Sequence, residues 1–232
     1  MQYFIGIDLA WGETNASGFC VFKESKDSLE IVELTLLQSL DDIVKRVEKY
    51  SVHKISIGID APIIVPNESG NRKIEKEFIH DFSQYKISML PVNRDLLTKY
   101  TTLIRGEALY LKLLNIGFSR EIDAKKRVFE VYPHATIAVC FNNYKILPYK
   151  RKKGRDTPFI RKHLAIYRDF LSPLFMNPSS FFENLEELRG KGLKGYEDKL
   201  DAITCAYTLY YTQMNPYKTY KLEGIDTFIT PI

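Results

Sequence analysis

The chain has 232 residues, of which 45% are hydrophobic and 27% charged, a length that fits one domain with a large core or one domain with a sizeable insertion. No run approaches the roughly 20 apolar residues that span a bilayer, and the N-terminal segment lacks a signal-peptide pattern, so we expect a cytoplasmic protein without a membrane partner. The net charge of +4 is too small to require an anionic partner by itself.

The first quarter of the chain predicts four strands and one helix. Alternating apolar residues predict strands at 3–9, 16–24 and 29–37, with a turn at "SKDS" (25–28), then a helix at 39–50 and a strand at 54–60. The short connections between the first three strands predict an antiparallel meander. Ser39 and Asp42 form a capping box at the start of the predicted helix.

The remainder of the chain is predicted to be richer in helix. The patterns predict helices at about 71–82, 95–117, 158–171, 179–188 and 197–212, with strands at 126–134, broken by Pro133, and at 224–232. This order of strands and helices predicts an α/β fold. We expect a single domain over 1–232, with helical or loop insertions at about 84–125 and 142–195.

A tetrapeptide, "IGID", ends two of the predicted strands, once at Asp8 and once at Asp60. A strand–helix–strand crossover makes the Asp60 strand parallel to a neighbour, so the first strand is free to pair with it directly. Both carboxylates would then emerge at the same edge of the sheet, about 4.8 Å apart. Gly6 and Gly58 share a face with these acids and leave room for a helix to pack closely below them.

Two carboxylates at neighbouring strand ends repel each other by about 4 kcal/mol at 4 Å and an effective dielectric near 20. A shared proton, basic neighbours or a divalent cation must offset this repulsion. Glu130 and the helical pair Asp198 and Asp201 are candidates to complete a cation site, since they are hard oxygen ligands suited to Mg²⁺ or Mn²⁺.

Each acid also has a structural interpretation. Asp60 precedes Ala-Pro and would fit an Asx turn, Asp198 would fit a helix N-terminus, and Glu130 would fit an ion pair with Arg127 or a nearby lysine. The joint pattern favours a site, because the topology sends both strand-end aspartates to one edge.

Six segments together carry a resemblance to a known family: "IGIDLAW…NASG", "IGIDAP", "NRKIEKEF", "EVYPHAT", "YKRKKGR" and "DKLDAITCAY". From residue 4 to about 212, the chain resembles an uncharacterised prokaryotic family of predicted nucleases with a ribonuclease H-like fold, within the RuvC-like superfamily. The resemblance implies a mixed five-stranded sheet in the order 3-2-1-4-5, flanked by helices.

The same resemblance implies the roles of the acids. The superfamily pattern of an acid on the first strand, another on the fourth and an Asp-x-x-Asp pair on a late helix falls on Asp8, Asp60, Asp198 and Asp201, and Glu130 lies on the fifth strand. The fourth-strand acid is usually Glu, so Asp60 departs from the pattern with a shorter reach. The implied activity is hydrolysis of DNA or RNA by two Mg²⁺ or Mn²⁺ ions about 3.5–4 Å apart.

Basic residues supply candidate phosphate contacts. They are Arg72, Arg94 and the cluster Lys150, Arg151, Lys152, Lys153 and Arg155. The cluster also fits a solvated loop. His134 is a further candidate, either to protonate a leaving group or to make a structural bond at a helix start.

Other functions are open at this stage. "GIDLAWGETNASG" resembles the first phosphate loop of actin-like and sugar-kinase-like ATPases, in which Asp8 would coordinate Mg²⁺, although 232 residues are short for their duplicated fold. A nucleic-acid-binding module without catalysis is a third possibility. "GKGLKG" (190–195) fits a dinucleotide-binding motif but follows a helical segment, so we interpret it as a flexible loop. Cys20, Cys140 and Cys205 have apolar neighbours and are expected to be buried, reduced thiols.

Overall fold

A computed structural model describes residues 1–25, 28–99, 101 and 103–232. The strands are β1 (Gln2–Asp8), β2 (Ser17–Ser25), β3 (Ser28–Leu37), β4 (Lys54–Asp60), β5 (Lys126–Glu130), β6 (Tyr217–Leu222) and β7 (Ile225–Pro231). The helices are α1 (Leu40–Glu48), α2 (Lys73–Phe82), α3 (Arg94–Leu97), α4 (Arg105–Asn115), α5 (Pro133–Phe141), α6 (Thr157–Leu171) and α7 (Gly190–Tyr211). Short 3₁₀ turns lie at Ser83–Tyr85, Ser172–Leu174 and Pro178–Ser180.

The described strands form one mixed sheet in the order β3-β2-β1-β4-β5-β7-β6. β1, β2 and β3 form the predicted antiparallel meander. β4 is parallel to β1, β5 is parallel to β4, and β7 is parallel to β5. The predicted α/β class is therefore confirmed, and β1 and β4 end at the same edge of the sheet, as the repeated tetrapeptide predicts.

The sheet differs from the predicted five-stranded one, because β7 and β6 extend it beyond β5. The sequence analysis missed β6, whose Tyr/Lys-rich sequence "YKTYKL" buries little apolar surface at the edge of the sheet. Lysine is a common residue on exposed edge strands. β6 and β7 are joined through Glu223 and Gly224, both at positive φ, which is the backbone of a tight hairpin turn.

The glycines of β1 and β4 allow α7 to lie directly on the sheet. A Cβ atom on Gly6 would come within 1.8 Å of the Ala202 carbonyl oxygen, and one on Gly58 within 2.4 Å of the Cys205 carbonyl oxygen. No side chain fits between these backbones. The predicted close approach of a helix at the glycines is confirmed, and it brings the acids of α7 to the strand ends.

The two faces of the sheet bury separate cores. Ile5, Ile7 and Leu9 pack on the α1 and α4 side, as their alternation predicts. Phe4 packs on the opposite side, among residues of α6 and α7. Asp8 belongs to the α7 side of β1, because side chains alternate between faces along a strand.

Two predicted helices and one predicted loop differ from the structure. The predicted helix at 95–117 is divided into α3 and α4. Residues 100 and 102, between these two helices, lie outside the described residues. The same holds for residues 26 and 27 of the predicted turn. Residues 179–188 form a 3₁₀ turn and loop. The segment "GKGLKG" is not a loop but forms the first turns of α7. A Cβ on Gly195 would lie 2.7 Å from the Leu36 side chain of β3, so close packing favours glycine at this position.

The thiols of Cys20 and Cys205 are buried, and that of Cys140 is half-buried. All three are free, but the predicted burial is confirmed only for Cys20 and Cys205. Within the described ranges, no helix combines the length and apolar character needed to cross a membrane.

Candidate functional site

Asp8 and Asp60 are register partners at the carboxyl ends of β1 and β4. Neither carboxylate forms a hydrogen bond or an ion pair with another residue of the described chain. Burial, and then the negative charge of Asp201, raises the pKa of Asp8 well above its usual range. Burial raises the pKa of Asp60 to about 7, against the lowering effect of Lys150. The strand ends therefore place two carboxylates side by side whose charges are only partly compensated.

Both carboxylates line a cavity of about 770 Å³ at this edge of the sheet. The cavity wall is rich in charged groups, which include Asp8, Asp60, Glu130, Asp198, Lys150, Lys191 and Lys194. Its rim includes two exposed apolar side chains, Trp11 at 55% exposure and Leu90 at 74%. A cavity of this size and composition accommodates a nucleotide-sized ligand.

Asp201 of α7 is fully buried behind the cavity and is tightly held. One of its oxygens, Oδ1, accepts hydrogen bonds from the Tyr149 hydroxyl at 2.6 Å and the Tyr167 hydroxyl at 3.0 Å. The other, Oδ2, lies 2.9 Å from the Lys150 ammonium nitrogen. Burial alone would raise the pKa of Asp201, but Lys150 and these hydrogen bonds lower it, so this carboxylate is ionised.

Lys150 brings a positive charge to the acidic group through its contact with Asp201. The charges of Asp201, Asp8 and Asp60, in that order, raise its pKa against the effect of its own burial. The repulsion between the strand-end acids is thus partly offset by a basic neighbour, which is one of the alternatives that the sequence leaves open. Because the ammonium is ion-paired with Asp201, that carboxylate is not available to a metal in this arrangement.

Asp198 lies one turn before Asp201 on α7 and faces the cavity. Its carboxylate pairs with Lys194, which also contacts Glu197 at 2.8 Å. Burial raises the pKa of Glu197. The Lys194 side chain is 59% exposed and that of Asp198 only 12%, so the lysine has access to solvent when a cation takes its place beside the carboxylate.

Glu130, predicted as a metal ligand, and Arg72, predicted as a phosphate contact, form a buried ion pair with each other. The Arg72 guanidinium donates to both oxygens of Glu130, at 2.5 and 3.0 Å, and also to Glu75 and to the Ile64 carbonyl oxygen. The Ile63 amide adds a further bond to Glu130 at 3.3 Å. Since Arg72 is buried and both Glu130 oxygens are occupied, we replace the predicted phosphate-contact and metal-ligand roles with a structural one.

His134 stacks on Tyr149, with ring centroids 4.9 Å apart, at the wall of the cavity. Burial, and then the charge of Lys150, lowers its pKa to about 4. Its buried Nδ1 atom has no hydrogen-bond partner among the described residues. The imidazole is therefore neutral at pH 7, and it does not carry the extra proton that the predicted general acid would need.

The other predicted phosphate contacts lie outside the cavity wall. Arg94 forms a two-pronged ion pair with Glu107, with both distances 3.0 Å. Arg155 donates to the Lys150 carbonyl oxygen at 2.9 Å. Residues 151–153 are exposed on the adjoining loop, so Lys150 is the member of the basic cluster that reaches the acids.

Sequence reasoning missed several residues of the site, namely Tyr149, Tyr167, Lys194, Glu197 and Trp11. The "GYED" segment before Leu200 carried a signal for Glu197, because it adjoins the predicted acid pair. Nothing local indicated the tyrosines, which meet Asp201 only through the tertiary fold. Within the described part of the chain, no group of three or more His, Cys, Asp or Glu residues is arranged so that it could hold a metal ion.

A family model described as "Protein of unknown function (DUF429)" matches residues 6–214. The chain belongs to this family. The match includes the end of β1, all of β2 to β5 and all of α7, and hence each acid considered above. No curated protein matches the sequence.

Proposed function

We propose that this member of the DUF429 family is a metal-dependent nuclease with a ribonuclease H-like arrangement of its acids. The proposal depends chiefly on Asp8 and Asp60, two adjacent carboxylates without direct partners that face a cavity. The consecutive strands β3-β2-β1-β4-β5 within the sheet, with acids on β1, β4 and α7, support the ribonuclease H-like comparison.

The donor chemistry fits a divalent cation. Asp8 and Asp60 offer hard oxygen ligands, and Asp198 adds a third carboxylate once it exchanges its contact with Lys194 for the ion. Mg²⁺ commonly binds through one or two carboxylates and keeps several waters, so a fully closed protein cage is not required. The two strand-end acids also gain from such an ion, because it offsets their mutual repulsion.

The basic groups fit a phosphodiester substrate. Lys191 and Lys194 line the same cavity as the acids, and residues 151–153 are exposed on the loop that follows Lys150. These lysines would neutralise phosphate oxygens, which carboxylates alone would repel. Exposed Trp11 at the rim offers an aromatic surface on which a base can stack.

The reaction is hydrolysis. A water oxygen forms a new bond to phosphorus while the bond from phosphorus to the leaving sugar oxygen breaks; the water proton passes to solvent, and the leaving oxygen takes up a proton from solvent. When bound, the cation supplies Lewis-acid polarisation of the phosphate and a lowered pKa for the attacking water. Asp8 and Asp60 orient that cation, and the lysines of the wall hold the substrate phosphate.

The test is a cleavage assay on the full chain with labelled single-stranded, duplex and branched oligonucleotides of DNA and RNA. We expect cleavage of at least one substrate with Mg²⁺ or Mn²⁺, and a loss of 10²-fold or more in Asp8→Asn. Asp41→Asn is the matched control, since Asp41 is an exposed acid paired with Lys112 away from the cavity. Absence of cleavage of every substrate by the wild type would contradict the proposal.

A further inference from the structure

Lys150 places a fixed positive charge inside the acidic group. Its ammonium nitrogen lies 2.9 Å from Asp201 Oδ2 and interacts electrostatically with Asp8 and Asp60 as well. An ammonium and a metal ion compete for the same carboxylate oxygens, because both need those lone pairs. Lys150 therefore stands where a second cation would be bound by Asp201.

We propose that the Lys150 ammonium substitutes for one of the two metal ions of the expected mechanism, so that the site binds a single divalent cation between Asp8 and Asp60. This inference rests on the proposed function and specifies its cation requirement. Lys150 would be a positioning residue that keeps Asp201 charged and oriented while the ion is held by the strand ends.

The charges of the site match one divalent ion. Asp8, Asp60, Glu197, Asp198 and Asp201 carry five negative charges when ionised, and Lys150, Lys191 and Lys194 carry three positive charges. The remaining two negative charges balance one Mg²⁺ or Mn²⁺. A second divalent ion would leave an excess positive charge in a largely buried site, which is costly. Glu130 does not change this balance, since Arg72 neutralises it.

The position of Lys150 is built into the fold. Tyr149, its neighbour in the chain, is fully buried and lies between the His134 ring and the Tyr167 ring, with centroids at 4.9 and 4.8 Å. The Arg155 guanidinium holds the Lys150 carbonyl oxygen at 2.9 Å. Because the backbone is fixed on both sides, the ammonium is directed to Asp201 by the surrounding structure.

The occupancy of Asp201 points to the same conclusion. Its Oδ1 already accepts two tyrosine hydroxyl groups, and its Oδ2 faces the ammonium. A second ion bound through Asp201 would have to expel Lys150 from this pair. The Lys150 side chain is 34% exposed and Asp201 is fully buried, so this exchange would trade an existing ion pair for the desolvation of a second divalent ion, which opposes it.

The experiment counts Mn²⁺ ions on the full chain by equilibrium dialysis, with electron paramagnetic resonance of the bound ions. We expect one ion per wild-type chain with an uncoupled spectrum. In Lys150→Met we expect two ions with a spin-coupled signal, because Asp201 becomes available as a ligand. In the double variant Lys150→Met/Asp201→Asn we expect one ion again, since the released ligand is also removed.

The outcomes separate this inference from the proposed function. Two ions on the wild type, or a single ion on folded Lys150→Met, would overturn the role of Lys150 and leave a metal-dependent nuclease possible. No Mn²⁺ binding by the folded wild type would overturn both. If circular dichroism shows Lys150→Met to be unfolded, the comparison is made with Lys150→Gln. The number of Mn²⁺ ions on the wild-type chain also decides by itself, since one ion supports the inference and two ions contradict it.

Discussion

Asp8 and Asp60 are register partners on neighbouring parallel strands, each two residues beyond a glycine that contacts the backbone of α7. This relationship explains why "IGID" occurs twice. The glycines admit the helix, and the helix brings Asp198 and Asp201 to the strand ends. The acids are thus assembled by backbone packing, which makes their arrangement rigid.

Metal affinity should rise with pH in the range around 7. The pKa of Asp60 is raised to about 7 without metal, and a cation binds the ionised form, so protonation competes with the ion below that pH. We expect the Kd for Mn²⁺ to weaken by up to about tenfold per pH unit below pH 7 and to level off above it. Calorimetric titrations between pH 5.5 and 8.5 measure this. A pH-independent Kd would contradict the role of Asp60.

Without metal, Asp60 should contribute a stability term that falls as pH rises. The folded-state pKa of Asp60 lies above the ordinary value of 3.8, so the folded chain holds a proton that the unfolded chain releases. The contribution of Asp60 to the free energy of unfolding therefore decreases from about pH 4 to about pH 7, whereas His134, with its pKa lowered to about 4, contributes in the opposite direction, so the Asp60 effect is obtained as the difference between variant and wild type. Asp60→Asn should flatten part of this decrease in urea titrations with EDTA present, whereas Asp41→Asn should not.

Removing Arg72 should destabilise the fold strongly. Arg72→Met leaves Glu75 and Glu130 buried without their cation, for which we expect a loss of about 3–5 kcal/mol. Arg94→Met is the matched control, because Arg94 is 39% exposed in its pair with Glu107 and should cost less than about 1 kcal/mol. Denaturant titration compares the two variants. Equal losses would show that the buried pair is not structural.

Gly6→Ala should disrupt the contact between α7 and the sheet. The new Cβ would lie 1.8 Å from the Ala202 carbonyl oxygen, and relief of this overlap requires a movement of α7, with a cost of about 1–3 kcal/mol or more. The matched control is Gly12→Ala, whose Cβ would meet only the Asn15 side chain at 3.7 Å. Thermal unfolding of both variants tests this, and a Gly6→Ala protein as stable as Gly12→Ala would contradict the packing.

Nucleic-acid binding should change the fluorescence of Trp11. It is the single tryptophan of the chain and lies at the rim of the cavity, so a stacked base should quench its emission. We expect quenching by a single-stranded oligonucleotide in EDTA, with weaker binding and a smaller salt dependence after charge reversal at residues 151–153. Reversal of Lys45 on α1 and of Lys49 directly after it, both exposed and outside the cavity, is the control. Unchanged binding in the loop variant would indicate an ordinary solvated loop.

The sequence predicted the parts of the site that depend on local pattern. Alternation and the repeated "IGID" placed Asp8 and Asp60 at one edge, and the glycines predicted the close helix. It did not predict the β6 strand, whose few buried side chains give a weak periodic signal, or the helical start of α7, where glycine is favoured by tertiary contact with Leu36.

The sequence also did not predict which residues pair with the buried charges. Arg72 and Glu130 are 58 residues apart, and Lys150 and Asp201 meet only when the loop before α6 folds against α7. A basic residue in a loop has the same sequence pattern whether it binds phosphate or neutralises a buried acid. The distinction depends on burial and on the direction of the side chain, which the fold alone determines.

The most direct test of the account is a crystal structure of the full chain soaked in Mn²⁺, with anomalous diffraction data. We predict an anomalous peak within coordination distance of both the Asp8 and the Asp60 carboxylates, at the edge of the sheet. Anomalous maps without a peak beside these two residues, at Mn²⁺ concentrations that saturate ordinary carboxylate sites, would contradict it.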